Sequence, residues 1–178
     1  IRVEGKFFTL RGRVYREFGD AHILEFKYEY PDPVICVLDP HDRKPHHVIW
    51  AFMNRNDDIY VDYELIVRCE LDDLARRIKS VENMRGYKVR RRLIDPNFGL
   101  RPAKPGANWS IKDELTRFGT AFYQANDDVE LRHHIVRDLL HYDFKKEITA
   151  MNCPKLFFNR QNVPTTIRSM RNLQFDEW

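Results

Sequence analysis

Between Val34 and Ile94 the chain passes through three short runs of strand character, one stretch of helical period and a fourth strand-like run. No other part of the sequence restricts the fold so tightly. Val34 to Leu38 is continuously apolar, "HVIWAFM" (47–53) is a second apolar run, and "IYVDYELIV" (59–67) alternates as a third; "NRND" supplies the turn between the last two. These runs predict a three-stranded meander. Leu71, Leu74, Ile78, Val81 and Met84 then recur at helical spacing, with Gly86 where a C-cap belongs. A helix over about 72–85 is expected, followed by a strand at "KVRRRLI" (88–94).

Next comes a loop rich in Pro, Gly and Asn, "DPNFGLRPAKPGAN", of a kind that in a compact domain is often functional. Ser110 with Asp113 resembles a capping box and opens a short helix through about Phe118. A longer helix is expected over about 128–141 on Val129, Ile135, Val136, Leu139 and Leu140, then a short strand at "KLFFN" (155–159), and Pro164 begins a last helix. Ahead of the meander, "FFTLRGRVYREFGDAHIL" alternates weakly around Gly12 and Gly19, so residues 1–33 are read as a lead-in segment or small hairpin and 34–178 as the main domain. The order is β-β-β-α-β-α-α-β-α. Helical crossovers give parallel strands, so the fourth and fifth strands should run parallel to the first. This is the order of the ribonuclease-H-like fold: an α/β mixed sheet, a meander followed by parallel crossover strands, flanked by helices, with strand four beside strand one.

At 178 residues and 43% hydrophobic content the chain suits one domain with a proper core. Its 30 Lys and Arg against 27 Asp and Glu are too evenly balanced to demand a nucleic-acid partner on charge alone. Cys36, Cys69 and Cys153 are odd in number and lack metal-type spacing, which fits reduced thiols of an intracellular protein. No apolar run approaches the roughly 20 residues of a membrane span, so no membrane partner is expected. The start, "IRVEGKFF", resembles no signal peptide and lacks Met, as a piece of a longer polypeptide would.

The first and fourth strands end alike, in "VLDP" and "LIDP". Asp-Pro is a turn former, and each aspartate taken alone reads as a strand-ending residue. Taken together they differ, because open α/β sheets place ligands where strand order reverses, and neighbouring strand ends lie about 4.8 Å apart. Asp39 and Asp95 would then repel unless a cation sits between them. Mg²⁺ takes one or two carboxylates plus water and phosphate oxygens, and two ions about 3.5–4 Å apart can cleave a phosphodiester. Mg²⁺ or Mn²⁺ is therefore the expected cofactor. Asp42 could join the metal directly or through water, or be a solvated loop carboxylate; both readings stay open. Arg101, Lys104 and Lys112, just beyond Asp95, are candidate contacts to a DNA backbone. Arg85, Lys88, Arg90, Arg91 and Arg92 cannot all meet one DNA, because a strand points alternate residues to opposite faces, so some should pair with helix carboxylates. His41, His46 and His47 have no Cys or acidic partner at ligand spacing for zinc. Phe157, Phe158 and Trp109 read as core.

"GRVYREFGDAHIL", "VLDPHDRKPHHVIWAF", "RRRLIDPNFG", "WSIKDELTRFG" and "NRQNVPTTIRSM", in that order, resemble the C-terminal nuclease region of the large terminase subunit of tailed bacteriophages. The resemblance covers nearly the whole chain; each motif alone is loose. It implies a metal-dependent endonuclease that cuts concatemeric DNA during packaging, with Asp39 and Asp95 as the acids closing the first and fourth strands. A third acid belongs to the family's last helix, in a segment expected after "NLQFDEW"; Asp176 is the nearest candidate, and the domain is read as truncated at its C-terminus. Implied partners are double-stranded DNA, an upstream ATPase domain, the small terminase subunit and the portal protein, in the host cell cytoplasm. No P-loop occurs in this chain. Alternative readings are another ribonuclease-H-like nuclease, such as a junction resolvase or transposase core, and a non-catalytic docking module.

Overall fold

The computed structural model describes residues 12–29 and 31–174. In chain order the strands are β1 (Ile23–Leu24), β2 (Val34–Asp39), β3 (His46–Met53), β4 (Ile59–Val67), β5 (Val89–Ile94), β6 (Tyr123–Gln124) and β7 (Leu156–Asn159). The helices are α1 (Leu71–Arg85), α2 (Pro96–Gly99), α3 (Ile111–Arg117), α4 (Val129–Leu140) and α5 (Pro164–Asn172). One mixed sheet runs in the order β1-β7-β4-β3-β2-β5-β6. The meander β2-β3-β4 is antiparallel throughout, and β5 lies parallel beside β2, as the sequence predicts. No helix among the described residues is long and apolar enough to cross a membrane.

Each face of the sheet carries a core. Val34, Cys36 and Leu38 of β2 join Val48, Trp50 and Phe52 of β3 against Leu74 and Ile78 of α1 and Leu115 of α3. On the other face Val61, Leu156 and Phe158 meet Leu140 of α4 and Ile167 of α5, together with Val14, Tyr15, Phe18 and Ile23. α1 forms because its apolar residues fall on one stripe; it ends at Gly86, whose φ of 67° is the left-handed conformation that a side chain resists. Alternation along β2 buries Val34, Cys36 and Leu38 and turns Ile35, Val37 and Asp39 to the opposite face, where they are exposed.

Three elements differ from the sequence expectation. The described part of the segment read as a lead-in or hairpin makes no hairpin: a 3-10 turn at Asp20–His22 leads into β1, which pairs parallel with β7 at the sheet edge. Its buried His22 places Nε2 2.8 Å from the carbonyl of Leu140, tying the segment to α4. The loop expected after Asp95 begins instead as a helical turn, α2, with Asp95 as N-cap and Pro96 in the first turn. Gly99 closes it against Ile94, and a Cβ there would come within 2.7 Å of that side chain. The third is β6, two residues parallel to β5, which has no signature in the pattern. The strand expected at 155–159 is present as β7, parallel to β4 at the edge away from β5.

Of the basic cluster at 85–92, Arg92 of β5 pairs with a helix carboxylate as expected, while Arg85 ends α1 and pairs with a strand carboxylate. Arg92 Nε donates to Glu82 of α1 at 2.9 Å. Asp62, 1% exposed on β4, accepts from Arg85 at 3.0 Å, from Asn159 of β7 at 3.2 Å and from the Tyr87 hydroxyl, so it fastens β4 to β7 and to the end of α1. Removing one partner of such a cluster leaves the others uncompensated. Asp62→Ala is therefore expected to lose about 3 kcal/mol in urea unfolding, against about 1 kcal/mol for Tyr87→Phe. A loss below about 1 kcal/mol for Asp62→Ala would show that the cluster does not hold the strands together.

Candidate active site

The parallel register sets Leu38 beside Ile94, and the ladder continues one step further, with the Asp95 N–H donating to the Leu38 carbonyl at 2.9 Å. Asp39, the last residue of β2, and Asp95, the first after β5, therefore stand at the same end of adjacent strands. Partial burial pushes the Asp39 carboxyl above its ordinary range, the negative charge of Asp95 adds to that, and His41, His47 and His46 pull the other way. The two acids are in electrostatic conflict.

The loops that carry them are braced. Buried His46 accepts the His41 N–H on Nδ1 at 3.1 Å, leaving Nε2 to donate to the Cys69 carbonyl at 3.0 Å. His41 in turn accepts the N–H groups of Arg43 and Lys44. Its ring stacks on Phe98 of α2 at 4.5 Å, which joins the Asp39 loop to the Asp95 turn. Arg101 lies over the same Phe98 ring, 3.9 Å from its centroid, and donates Nε to the Asn97 carbonyl. From α2, the Asn97 amide donates to Asp95 at 3.3 Å and to Asp127 at 2.9 Å.

Of the residues singled out from sequence, the structure brings Asp39 and Asp95 together. Asp42, Arg101 and Lys104 line one groove with His41, Glu70 and Cys69, a lining that includes neither Asp39 nor Asp95. Asp42 Oδ1 lies 3.2 Å from His41 Nδ1, the nitrogen that accepts the Arg43 and Lys44 N–H groups. Lys104 reaches over Trp109, whose ring also carries Arg117, so Trp109 is a platform for cations and only half-buried. Lys112 is in the first turn of α3, outside the groove lining. Asp176 lies outside the described residues. Phe157 and Phe158 are buried. Sequence reasoning missed Asn97, Asp127 and Glu64. Asn97 follows Asp95 by two positions, a spacing at which Asn commonly bonds locally; the other two depend on long-range approach.

Among the described residues no group of three His, Cys, Asp or Glu side chains is arranged to hold a metal ion. The Asp39–Asp95 pair nonetheless fits a hard divalent cation, since such an ion accepts two carboxylates with water and would offset the charge of Asp95 that, after burial, raises Asp39.

No family model and no curated protein matches this sequence. Solved structures do match. The large terminase of a thermophilic bacteriophage superposes with a TM-score of 0.66 at 16% identity, over 93% of this chain and 38% of that one. The same protein in complex with ATP-gamma-S gives 0.67 at 16% identity. The P22 large terminase nuclease domain gives 0.63 at 17% identity, over 93% of this chain and 81% of that one. At these identities the likeness establishes the fold, ribonuclease-H-like as the element order predicts. The chain spans 38% of the length of the thermophilic phage's large terminase.

The acid pair has a consequence for stability in metal-free protein. A carboxyl whose folded pKa is raised adds stability in acid and loses it as pH rises through the folded value. Asp39→Asn removes that loss. Its melting temperature in EDTA should match or exceed that of the native protein at pH 7, with the difference closing as pH falls below the ordinary aspartate pKa of about 3.9. A lower melting temperature at pH 7 would mean that Asp39 is held by favourable contacts rather than in conflict.

Proposed function

We propose that the domain is the nuclease of a genome-packaging large terminase, a divalent-metal-dependent endonuclease acting on double-stranded DNA. The observation that carries this reading is the juxtaposition of Asp39 and Asp95 at the reversal point of a sheet whose fold matches that of the P22 large terminase nuclease domain. Asp39 and Asp95 would hold Mg²⁺ or Mn²⁺, which when bound supplies an activated water and stabilises the leaving oxygen of a phosphodiester. The chain's own residues align the substrate: Arg101 and Lys104 take backbone phosphates along the groove that Asp42 and His41 also line, and Asn97 keeps Asp95 oriented. Phosphate contacts position DNA without reading its bases, so sequence preference is slight. An upstream ATPase domain, the small terminase subunit and the portal protein are the partners this reading carries with it, in the host cell cytoplasm. Asp42 and Asp176 are the remaining candidates for completing the ligand set.

Supercoiled plasmid incubated with Mg²⁺ or Mn²⁺ should be nicked and linearised, and EDTA should stop the reaction. Asp39→Asn and Asp95→Asn should each lower the rate at least about 100-fold, since even residues behind the ligands cost 10–100-fold. Near-native cutting by either variant would remove that residue from the site. Strong preference for branched over linear duplex would favour a junction resolvase, and no cutting with either metal a docking module.

The phosphate track has its own measurement. Neutralising Arg101 and Lys104 together should lower the salt slope of log K for duplex DNA by about two units, near 0.9 per contact. A further fall of about one unit on neutralising Lys112 would place it on the same track, and no change would leave it a solvated residue of α3.

A further inference from the structure

His47 stands directly across from Asp39 in the β2–β3 pairing, on the same face of the sheet. Asp95, Asp39 and His47 thus form a row across three neighbouring strands. Next to them on β4, Glu64 places Oε2 3.3 Å from His47 Nε2. That carboxylate is 6% exposed and tightly held: it accepts the N–H groups of Thr165 at 2.7 Å and Thr166 at 2.9 Å, and the Thr166 hydroxyl at 2.7 Å. Burial alone would raise Glu64, but the bonds from Thr166 and Thr165 outweigh it and keep the carboxyl below its ordinary range. An ionised carboxylate at Nε2 fixes that nitrogen as the donor and sets the plane of the ring. Nδ1 has no hydrogen bond among the described residues, and the side chain is 28% exposed.

A bland account makes this row a helix cap. Glu64 does cap α5, whose own N-cap residue, Val163, offers no side-chain bond. Three donors from Thr165 and Thr166 achieve that without His47, so the cap leaves the imidazole and its free nitrogen unexplained. His47, whose Nε2 is engaged by Glu64, belongs to no three-ligand metal group among the described residues. Two strand spacings, about 10 Å, separate its backbone from that of Asp95, so it lies beyond Asp39, where a phosphodiester held on the acid pair would extend.

We propose that His47 is a further catalytic residue of this site, donating from the Nδ1–H of its imidazolium form to a phosphate oxygen of the bound DNA, the second ring proton being taken from solvent as DNA binds, with Glu64, which accepts from Nε2–H, as the residue that positions it. This rests on the nuclease reading of Asp39 and Asp95. A hydrogen bond aimed in advance at charge that develops during cleavage acts on turnover more than on binding.

The test uses three substitutions in the whole chain. Asn places its amide near the position of Nδ1, and Gln near that of Nε2. His47→Ala should lower kcat on a duplex oligonucleotide with Mn²⁺ about 100-fold while KM changes less than about twofold. His47→Asn should restore most of the loss and His47→Gln little. Urea midpoints identify any variant that fails to fold. Independently of turnover, ¹⁵N-histidine spectra in EDTA should show the His47 Nδ1 resonance moving on addition of duplex while Nε2 stays in place. Better rescue by Gln than by Asn, or an Nδ1 resonance indifferent to DNA, would overturn the proposal and leave His47 a brace for Glu64. Native cleavage unaffected by His47→Ala would overturn it alone, whereas absence of cleavage by the native protein would overturn the nuclease reading and this proposal with it.

Discussion

Two carboxylates at the ends of neighbouring parallel strands repel one another, and the fold must hold them there against that repulsion. The restraint comes from the β2–β5 pairing, whose register is fixed because Val34, Cys36, Leu38 and Ile94 all belong to the core beneath α1. A slip of one residue would turn those side chains to the exposed face and bury Asp39 instead. Hydrophobic burial thus sets the positions of two charges that would otherwise move apart. The stacking of His41 on Phe98 adds a second tie between the two loops, close to the acids themselves.

Ionic contacts divide between the faces for the same reason. In β5, Arg92 turns toward α1 and is neutralised by Glu82, while Arg91 turns the other way and lies over Tyr123 of β6. Two bases of the densest basic run, Arg85 and Arg92, are thus spent on holding the sheet to α1. The segment after α2 supplies two cations that rest on rings, Arg101 on Phe98 and Lys104 on Trp109. Stacked on rings rather than paired with carboxylates, they keep their charge available to an anionic ligand.

How much of this could be read from the sequence depends on how local each signal is. The meander, α1 and β5 were legible because each fills several periods of a hydrophobic pattern, and α3 because its Ser110–Asp113 capping box lies within four residues. β1 and β6 are two residues each, too short for any period, and exist only because β7 and β5 offer free edges. α2 was read as loop because Asp-Pro-Asn serves equally as a turn and as a helix start. In the site, Asp39 and Asp95 could be placed side by side from strand order alone. Glu64 could not, because it is joined to Thr166 across 102 positions of sequence and looks in isolation like one polar residue of an alternating strand.

Burial and the charge of Asp95 make the acid end of the sheet less favourable than it could be, and a cation bound there would relieve part of that cost. A ligand stabilises a fold by RT ln(1 + [L]/Kd), about 2.7 kcal/mol at a hundredfold excess over Kd, and only when it binds the folded state. A cation between Asp39 and Asp95 meets that condition, because only the β2–β5 register brings the two carboxylates together. A monovalent cation or a lysine side chain could relieve part of the repulsion, yet no Lys or Arg is paired with either acid among the described residues. The neighbours offered instead are an amide at Asn97 and an imidazole at His47, groups that orient a carboxylate or a phosphate without filling the space between the acids. On the nuclease reading, a divalent ion would neutralise the negative charge of the pair, and the surrounding groups would align what that ion binds.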